Sequence, residues 1–391
     1  MSEHSFEVIV IGGGAAGLSG AVTLARARRS VLVLDSGQPR NAPASEAHGF
    51  LSRDGITPTD LLGLGAAEVT RYGGQVRHTR VTSLHREHHS THDEHGFVVT
   101  DDGQTYTARR LLVTTGLVDE LPDIPGLRQR WGRDVLHCPY CHGWESRDQP
   151  IAVLGTGPSA VQQALLWRQW SPQVTLLSHA APKPTDEEWE QLAARDISVV
   201  DGEVTALDVT GDQLTGARLA SGHVVSFQVL VIMPRFVARG DVLTDLGLTT
   251  IEDPRGLGRH IEADATGLTS APGVWVAGNL TDLTAKLVGA AAAGVNAAAA
   301  INADLISEDT RRAVNQRAVN RGDPFSAGVE ARISEIVTGD RRHGLCPLGG
   351  NRARRGAVGI YPRPSCVVST TRESVLSHFH RVMSHRKGNG S

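Results

Sequence analysis

The first hydrophobic pattern of the chain predicts a strand, a tight turn and a helix. Residues 6 to 11 form an apolar run of strand length, and a helical pattern of apolar positions then reaches Arg28. Between them Gly12, Gly14 and Gly17 spell G-x-G-x-x-G, which indicates dinucleotide binding when a strand precedes it and a helix follows. Gly12 allows the tight turn, Gly14 lets a pyrophosphate approach the backbone, and Gly17 lets the helix pack on the strand.

A second strand, residues 30 to 34, ends at Asp35, whose carboxylate is expected to bind the hydroxyl groups of a ribose. The phosphates are expected at the start of the helix, near Ala15 and Ala16, because backbone N–H groups and the helix dipole favour anions there. The alternative is a glycine turn that binds nothing. The strand, the helix and the acid together favour a dinucleotide site.

The same pattern returns after residue 150. A strand at residues 151 to 154 leads into a loop with Gly155, Gly157 and Ala160, and a helix follows to residue 170. The next strand, residues 174 to 177, ends in Ser178 and His179, where an acid would select NAD and an arginine NADP. This second loop therefore predicts an NAD(P)-type site without a preference for either cofactor.

Further apolar runs predict the other elements of an α/β chain. We expect helices at residues 59–72 and 285–303, and strands at residues 74–84, 96–100, 105–107, 110–114, 205–209, 217–219, 224–227, 229–233 and 273–277, with one more near residue 199. Pro122 and Pro125 indicate a crossing between domains. With 391 residues, the chain is long enough for two domains with separate cores.

The end of the chain has a different composition. From residue 311 onward there are 15 Lys plus Arg and 5 Asp plus Glu, against 24 and 37 in residues 1 to 310. The periodicity fades there, so residues 311 to 391 are predicted to be a disordered basic tail or an out-of-frame extension, with Cys346 and Cys366 taking no part in chemistry. The tail lacks interleaved aromatic residues, which makes nucleic acid an unlikely partner.

Neither a membrane span nor a signal peptide is predicted. The longest apolar run, residues 288 to 301, is rich in Ala and Gly and is too short to span a membrane. The N-terminus enters a strand at once. Four cysteines are too few for a disulfide scaffold of this size, so we expect a cytoplasmic protein in a reducing compartment.

Cys138 and Cys141 form a C-x-x-C pair, which predicts a redox-active dithiol. Zinc is the competing interpretation, but a zinc site needs four ligands and no second pair of cysteines lies nearby. His137 and His142 flank the pair and could add nitrogens, but a site built from this one six-residue turn alone would be strained and incomplete. We therefore predict redox chemistry and no metal.

Two glycine loops, a C-x-x-C just before the second and a late strand that runs into Gly278, Asn279 and Asp282 form an ordered set. In this the chain resembles the low-molecular-weight thioredoxin reductases, which are FAD-dependent disulfide oxidoreductases. The resemblance implies two Rossmann-like dinucleotide-binding domains, the second inserted in the first. The FAD domain would comprise residues 1–117 and 245–310, and the inserted NAD(P)-type domain residues 118–244. It also implies a homodimer.

The resemblance assigns roles to residues of this chain. Cys141 would lie nearer the flavin, Cys138 would exchange with the substrate, and His142 would move protons to or from the thiolate. The substrate would be a small dithiol or disulfide, or a thioredoxin-like protein. The residues implied in FAD binding are Gly12, Gly14, Ala15, Ala16, Gly17, Asp35, Gly116, Gly278, Asn279 and Asp282, and those implied in NAD(P)H binding are Gly155, Gly157 and Ala160.

The cysteine segment is also similar to the flavin-dependent dithiol oxidases of gliotoxin- and holomycin-type natural products, which pass electrons to oxygen and do not need a nicotinamide. Thioredoxin reductases have an arginine cluster for the NADPH 2′-phosphate, and this chain has only His179 and Lys183 in that segment. Two enzymatic functions therefore stay open, a reductase fed by NAD(P)H and an oxygen-dependent oxidase. A flavin-binding sensor without catalysis is the third hypothesis.

Overall fold

The computed structural model describes residues 4–88, 95–320 and 332–333. The helices are α1 (Ala15–Arg26), α2 (Pro58–Arg71), α3 (Leu127–Arg130), α4 (Pro139–His142), α5 (Ala160–Trp167), α6 (Asp186–Ala194) and α7 (Leu287–Asn320). The strands are β1 (Ser5–Ile11), β2 (Val31–Asp35), β3 (Gln75–His78), β4 (Ser83–His88), β5 (His95–Thr100), β6 (Thr105–Val113), β7 (Leu117–Glu120), β8 (Val135–Leu136), β9 (Ile151–Leu154), β10 (Val174–Leu177), β11 (Ser198–Val200), β12 (Val204–Thr210), β13 (Gln213–Leu219), β14 (Val224–Ser226), β15 (Val229–Ile232), β16 (Arg235–Ala238), β17 (Ile251–Glu252), β18 (Gly258–His260) and β19 (Val274–Val276).

The first sheet has the strand order β3-β2-β1-β6-β5-β4, and β19 also pairs with β6. Strands β1, β2, β3, β6 and β19 run parallel, whereas β4, β5 and β6 form an antiparallel meander. Val8 and Val10 of β1 pack with residues of α1 and α7, while Ile9 and Ile11 belong to the core on the opposite face. Because both faces are covered, β1 is apolar without a break from Val8 to Ile11.

The structure corrects the predicted strand at residues 74–84. Two strands occupy this region, with β3 at one edge of the sheet next to β2 and β4 at the other edge next to β5. The chain turns between them, where the Thr79 N–H donates to Asp35 and the Thr82 N–H donates to Thr100. The two short strands predicted at 105–107 and 110–114 are in fact one strand, β6, which pairs with β5 first and with β1 and β19 further on.

The second sheet is entirely parallel, with the order β11-β10-β9-β15-β8. Its strands lie in the chain between β6 and β19 of the first sheet, so one Rossmann-like domain is inserted in another, as the sequence predicted. The chain enters and leaves through β7 and β16, which pair antiparallel in a small sheet with β17 and β18. The residue boundaries proposed for the two domains stay a prediction.

Helix α7 is longer than predicted, because it continues past residue 303 and past the predicted start of the tail at 311. Its second half is held by ion pairs to the first domain. Asp309 pairs with Arg29 at 2.9 Å and with Arg109 at 2.6 Å, and Glu308 pairs with Arg110 at 2.5 Å. The remainder of the predicted tail, with Cys346 and Cys366, lies outside the described residues apart from residues 332–333.

Within the described residues, one helical segment, Leu287–Arg317, is long and apolar enough to cross a membrane by length and composition. The core helix of a soluble protein passes the same test. Gly294 of this helix lies so close to α1 that a Cβ there would overlap the backbone of Ala16, and Ala298, Ile301 and Leu305 are buried in the core. Packing within the protein therefore accounts for its inner face.

Candidate redox site

A cavity of 1320 Å³ brings together residues that are far apart in the sequence. The predicted site residues in its wall are Gly12, Gly14, Ala15, Ala16, Asp35, Gly116, Cys138, Cys141, His142, Gly278 and Asn279. Five others are not in this wall, namely Gly17, Asp282, Gly155, Gly157 and Ala160. The first glycine loop and the redox cysteines thus share one cavity, and the second glycine loop does not contribute to it.

The first glycine loop is shaped by close backbone contacts. Gly12 has a φ of +105°, and a Cβ there would lie 2.5 Å from the carbonyl oxygen of Thr114. A Cβ at Gly17 would overlap the carbonyl oxygen of Gly12, whereas a Cβ at Gly14 would have no atom within 4 Å. The loop is therefore packed against the protein at Gly12 and Gly17 and open at Gly14, as close approach of a ligand to the backbone requires.

Asp35 lies at the end of β2, beside this loop. Its Oδ1 accepts a hydrogen bond from the Gly13 N–H at 2.9 Å, and its Oδ2 accepts one from the Gly37 N–H at 3.2 Å. These two bonds fix the carboxylate in the cavity wall, where it retains lone pairs for hydroxyl donors.

The turn between β19 and α7 also lines the cavity. Asn279 donates from its Nδ2 to the carbonyl oxygens of Asp282 and Ala285, both at 3.0 Å. The Asp282 carboxylate accepts from the backbone N–H of Thr284 at 2.9 Å and from its hydroxyl at 2.8 Å. Asp282 therefore stabilises its own turn and lies outside the cavity wall, although the sequence placed it with the FAD-binding residues.

Cys138 and Cys141 lie at the two ends of one helical turn. Cys138 immediately precedes α4, Pro139 occupies the first helical position, and the two sulfur atoms of the free thiols are 2.8 Å apart. At Gly143, a Cβ would lie 2.8 Å from the indole of Trp170, so the turn packs tightly on that ring. The geometry allows a disulfide to form with little movement of the backbone.

The two sulfurs have different acidities. The hydrogen bond from the Cys141 thiol lowers the pKa of Cys138 to about 6, and backbone amides of Cys141 and Tyr140 and the positive charge of Lys286 act in the same direction. The same hydrogen bond, together with burial, raises the pKa of Cys141. In the reduced state at neutral pH, Cys138 is therefore the thiolate and Cys141 carries the proton.

The two histidines beside the cysteines are in unlike surroundings. Burial lowers the pKa of His137 to about 4, and its ring stacks on Trp131 with a centroid distance of 5.7 Å. Burial also lowers the pKa of His142, which lines the cavity next to Cys141. A neutral His142 can accept a proton, which is the role that the resemblance implies. Within the described ranges, no three His, Cys, Asp or Glu residues form a group able to hold a metal ion.

Several charged residues of the cavity wall were missed by the sequence reasoning. Lys286 has its Nζ 3.8 Å from the centre of the Tyr140 ring. Arg40 pairs with Asp119 through two hydrogen bonds of 2.9 and 2.7 Å. These contacts join segments that are distant in the sequence, so no local motif reports them. For Lys286 a signal existed, because only three of the 39 basic residues are lysines.

The loop between β2 and α2 also reaches the redox segment. His48 lies 3.3 Å from Asp54 and 3.5 Å from each of Glu46 and Glu145. Glu145 follows α4, so this histidine connects the loop of the first domain to the cysteine turn.

A model of the pyridine nucleotide-disulphide oxidoreductase family matches residues 6–298. The chain belongs to this family. It is therefore a thioredoxin reductase-like oxidoreductase of the kind that acts on disulfides, and the resemblance found in the sequence is confirmed.

Individual proteins of the family are similar over most of the chain. The crystal structure of HlmI is 46% identical, covers 81% of this chain and 98% of its own, and superposes with a TM-score of 0.75. An oxidoreductase from Agrobacterium tumefaciens is 33% identical over 77% of this chain and 99% of its own, with a TM-score of 0.71. Thioredoxin reductase sirT of Leptosphaeria maculans is 30% identical over 78% of this chain and 95% of its own. The probable thioredoxin reductase of Arthroderma benhamiae is 38% identical, but the match spans only 38% of that protein.

Membership of the pyridine nucleotide-disulphide oxidoreductases implies FAD and NAD(P)H, and the two glycine loops fit such groups unequally. The first loop is open at Gly14 towards the large cavity, so its residues fit a dinucleotide such as FAD. The second loop begins in the same way, with the Gly155 N–H donating to Leu177 at 2.8 Å, as Gly12 donates to Leu34.

The chain after β10 then folds back over the second loop. The Ala180 N–H donates to the carbonyl oxygen of Gly155 at 3.0 Å. His179, at a positive φ of 43°, accepts the Val204 N–H on its Nδ1 at 3.1 Å, and burial lowers its pKa. His179 is therefore a neutral structural residue and a poor partner for a phosphate. At Gly157, the counterpart of Gly14, a Cβ would have no atom within 4 Å, so the middle of the second loop is open as in the first.

Proposed function

We propose that the chain is an FAD-dependent dithiol oxidase that closes a disulfide in a small organic dithiol and uses oxygen as the final electron acceptor. The observation that carries the proposal is that the chain after β10 folds back onto the second glycine loop. The backbone of Ala180 and the ring of His179 occupy the end of β10, where the ribose and 2′-phosphate of NADPH would otherwise bind. This arrangement disfavours reduction of the protein by a nicotinamide bound at the second loop. The redox cysteines, in contrast, share a cavity with the first loop.

The residues of the first loop would hold the flavin. Gly12 and Gly14 with the start of α1 would receive the pyrophosphate, and Asp35 would bind the ribose hydroxyls. Gly116, Gly278 and Asn279 line the same cavity. FAD, when bound, supplies a two-electron acceptor that oxygen can reoxidise with formation of hydrogen peroxide.

The cysteine pair would carry the electrons in two exchange steps. A substrate thiolate attacks the Cys138 sulfur of the disulfide, the Cys138–Cys141 bond breaks, and the Cys141 thiolate is protonated. The second substrate thiol then attacks the substrate sulfur of the mixed disulfide, so that the product disulfide forms and Cys138 leaves as a thiolate. The low pKa of Cys138 suits it as this leaving group, and neutral His142 can take up the proton of the attacking thiol.

The surface beside Cys138 supports a small substrate. Tyr140 and Trp144 are 59% and 67% exposed, on the two sides of Cys141 in the sequence. Arg147 covers one face of the Trp144 ring at 4.2 Å from its centre. Exposed aromatic rings beside a cavity favour a compact, partly apolar ligand. A thioredoxin-like protein is the alternative substrate, and the experiment below includes it.

Anaerobic reduction of the flavin tests the proposal. The absorbance of the FAD-loaded protein is followed after separate additions of dithiothreitol, NADPH, NADH and reduced thioredoxin. We expect bleaching by dithiothreitol within seconds, no comparable bleaching by either nicotinamide, and recovery with stoichiometric peroxide when air is admitted. Rapid bleaching by NADPH or NADH would overturn the oxidase and establish a reductase, the function that the open position at Gly157 would favour. If no reagent bleached the flavin, both enzymatic functions would be excluded and the non-catalytic flavin-binding sensor would be favoured.

A further inference from the structure

Lys286 immediately precedes α7 and lies in the wall of the cavity that contains the two redox cysteines. Its carbonyl oxygen accepts the Ala290 N–H at 2.8 Å, so the backbone at Lys286 belongs to the first turn of the helix. The preceding turn is fixed by Asn279, which donates to the carbonyl oxygens of Asp282 and Ala285. The position of Lys286 is therefore set by the β19–α7 turn rather than by the redox segment itself.

The side chain of Lys286 reaches across to the cysteine turn. Its ammonium group lies 3.8 Å from the centre of the Tyr140 ring. Trp170 also contacts Tyr140, in a T-shaped arrangement with the ring centroids 5.6 Å apart. Tyr140 lies between Cys138 and Cys141 in α4. A cation held over this ring is attracted by its π-face, which fixes both the ring and the charge.

The charge of Lys286 is not neutralised by a neighbour. Among the residues that the structure describes, no carboxylate forms an ion pair with it, whereas Arg40, the other cation that acts on Cys141, is paired with Asp119. The other titratable groups beside the pair are His137, next to Cys138, His142, next to Cys141, and His48 with its carboxylate neighbour Glu145. Lys286 is thus the one uncompensated positive charge described near the pair.

Because cysteine chemistry proceeds through the thiolate, a fixed positive charge beside the pair favours it. We propose that Lys286 is a positioning residue of the redox pair, which anchors Tyr140 and supplies the counter-charge for the thiolate that forms at Cys138. The proposal deepens the proposed function and rests on it only for the identity of the substrate, because thiolate formation is common to a reductase and an oxidase. Asn279 serves it indirectly, since its two donated bonds hold the turn that places Lys286.

The rate at which iodoacetamide alkylates Cys138 as a function of pH tests this role. The full-length FAD-loaded protein is reduced with excess dithiothreitol, desalted without oxygen, and alkylated between pH 4.5 and 9.5, with mass spectrometry assigning the label to each cysteine. We expect the midpoint of Lys286→Met to lie roughly half a pH unit to one unit above wild type, because loss of an exposed charge changes a pKa modestly. Lys286→Arg is expected to restore most of the wild-type profile.

Arg26→Met is the matched control, because Arg26 also lies over a tyrosine ring, 5.3 Å from the centre of Tyr72, far from the cysteines. Its midpoint is expected to equal that of wild type. An unchanged midpoint in Lys286→Met, or an equal shift in Arg26→Met, would overturn the proposal. If Lys286→Met lost its fold, as circular dichroism would show, the decision would pass to Lys286→Gln measured in the same way. No substrate or nicotinamide enters the assay, so its outcome is independent of the oxidase test.

Discussion

At the scale of single residues, the two cysteines of the C-x-x-C pair are chemically unlike. The sequence predicted a redox pair and could not rank the sulfurs, because their acidity depends on which one donates a hydrogen bond to the other. In the structure the Cys141 thiol donates to Cys138, so Cys138 is the acidic one. This ranking agrees with the role implied for Cys138 as the sulfur that exchanges with substrate.

The pH dependence of Cys138 follows from that hydrogen bond. Its pKa is lowered to about 6, so the thiolate is present above that pH and is lost as the pH falls through it. We expect alkylation of Cys138 in the reduced protein to be half-maximal near pH 6. In Cys141→Ala the donor is absent, and the midpoint should rise towards the ordinary thiol value of about 8.5. A midpoint near 8.5 in both proteins would contradict the assigned hydrogen bond.

Asn279 illustrates a role that the sequence alone could not reveal. The resemblance implied Asn279 in FAD binding, and nothing in the local pattern explained why an amide stands there. In the structure both contacts of its side-chain nitrogen are carbonyl oxygens, which an ionised carboxylate cannot serve because it only accepts hydrogen bonds. The amide is therefore needed for the turn that precedes α7.

Replacing Asn279 by Asp tests this explanation. We expect Asn279→Asp to lower the free energy of unfolding by about 1 to 3 kcal/mol, because two hydrogen bonds are lost and the carboxylate meets two carbonyl oxygens. Urea unfolding of the FAD-free and FAD-loaded proteins would measure it. Asn315→Asp, the same substitution at an exposed position of α7, is the control and should change the stability little. Equal stability of Asn279→Asp and wild type would refute the explanation.

At the scale of elements, the two glycine loops show how far a local pattern can be trusted. Both were predicted from strand, glycines and helix, and both are present. The pattern could not show that the chain after β10 folds back, because this depends on two hydrogen bonds. The Ala180 N–H donates to Gly155, and the His179 ring accepts from the Val204 N–H. For the same reason periodicity indicated strands near residues 75 and 85 and could not show that they lie at opposite edges of one sheet.

The first loop offers a direct test of the flavin site. We expect Gly17→Ala to lose most of its FAD and to unfold more easily, because the added Cβ would overlap the Gly12 carbonyl and separate α1 from the loop. The ratio of flavin to protein absorbance and the thermal midpoint would measure both effects. Gly63→Ala, in α2, is the matched control, because a Cβ there meets no atom within 4 Å. It should keep its FAD and gain up to about 1 kcal/mol in helix stability. Normal flavin content in Gly17→Ala would contradict the assigned packing.

At the scale of the whole molecule, α7 has an outer face that nothing in the described chain covers. Val288, Val295 and Ile306 are exposed apolar residues, and their spacing puts them within about 20° of one line on the helix. The exposed small residues Ala292 and Ala299 lie beside this line, about 20 to 40° from Val288 around the helix axis. This stripe contributes to the apolar character that lets the segment pass a test for membrane spans, although the inner face packs on α1.

A second copy of the chain is the partner that we expect on this face, since the resemblance to thioredoxin reductases implies a homodimer. Analytical ultracentrifugation of the FAD-loaded protein should show a dimer, and Val295→Glu should shift it to the monomer, because a charge at the centre of an apolar interface is left unpaired. Val314→Glu is the control, as Val314 is exposed but lies about 100° away around the helix axis. A monomeric wild type would refute the dimer. If wild type instead bound to lipid vesicles and Val295→Glu did not, the apolar stripe would be assigned to a membrane surface.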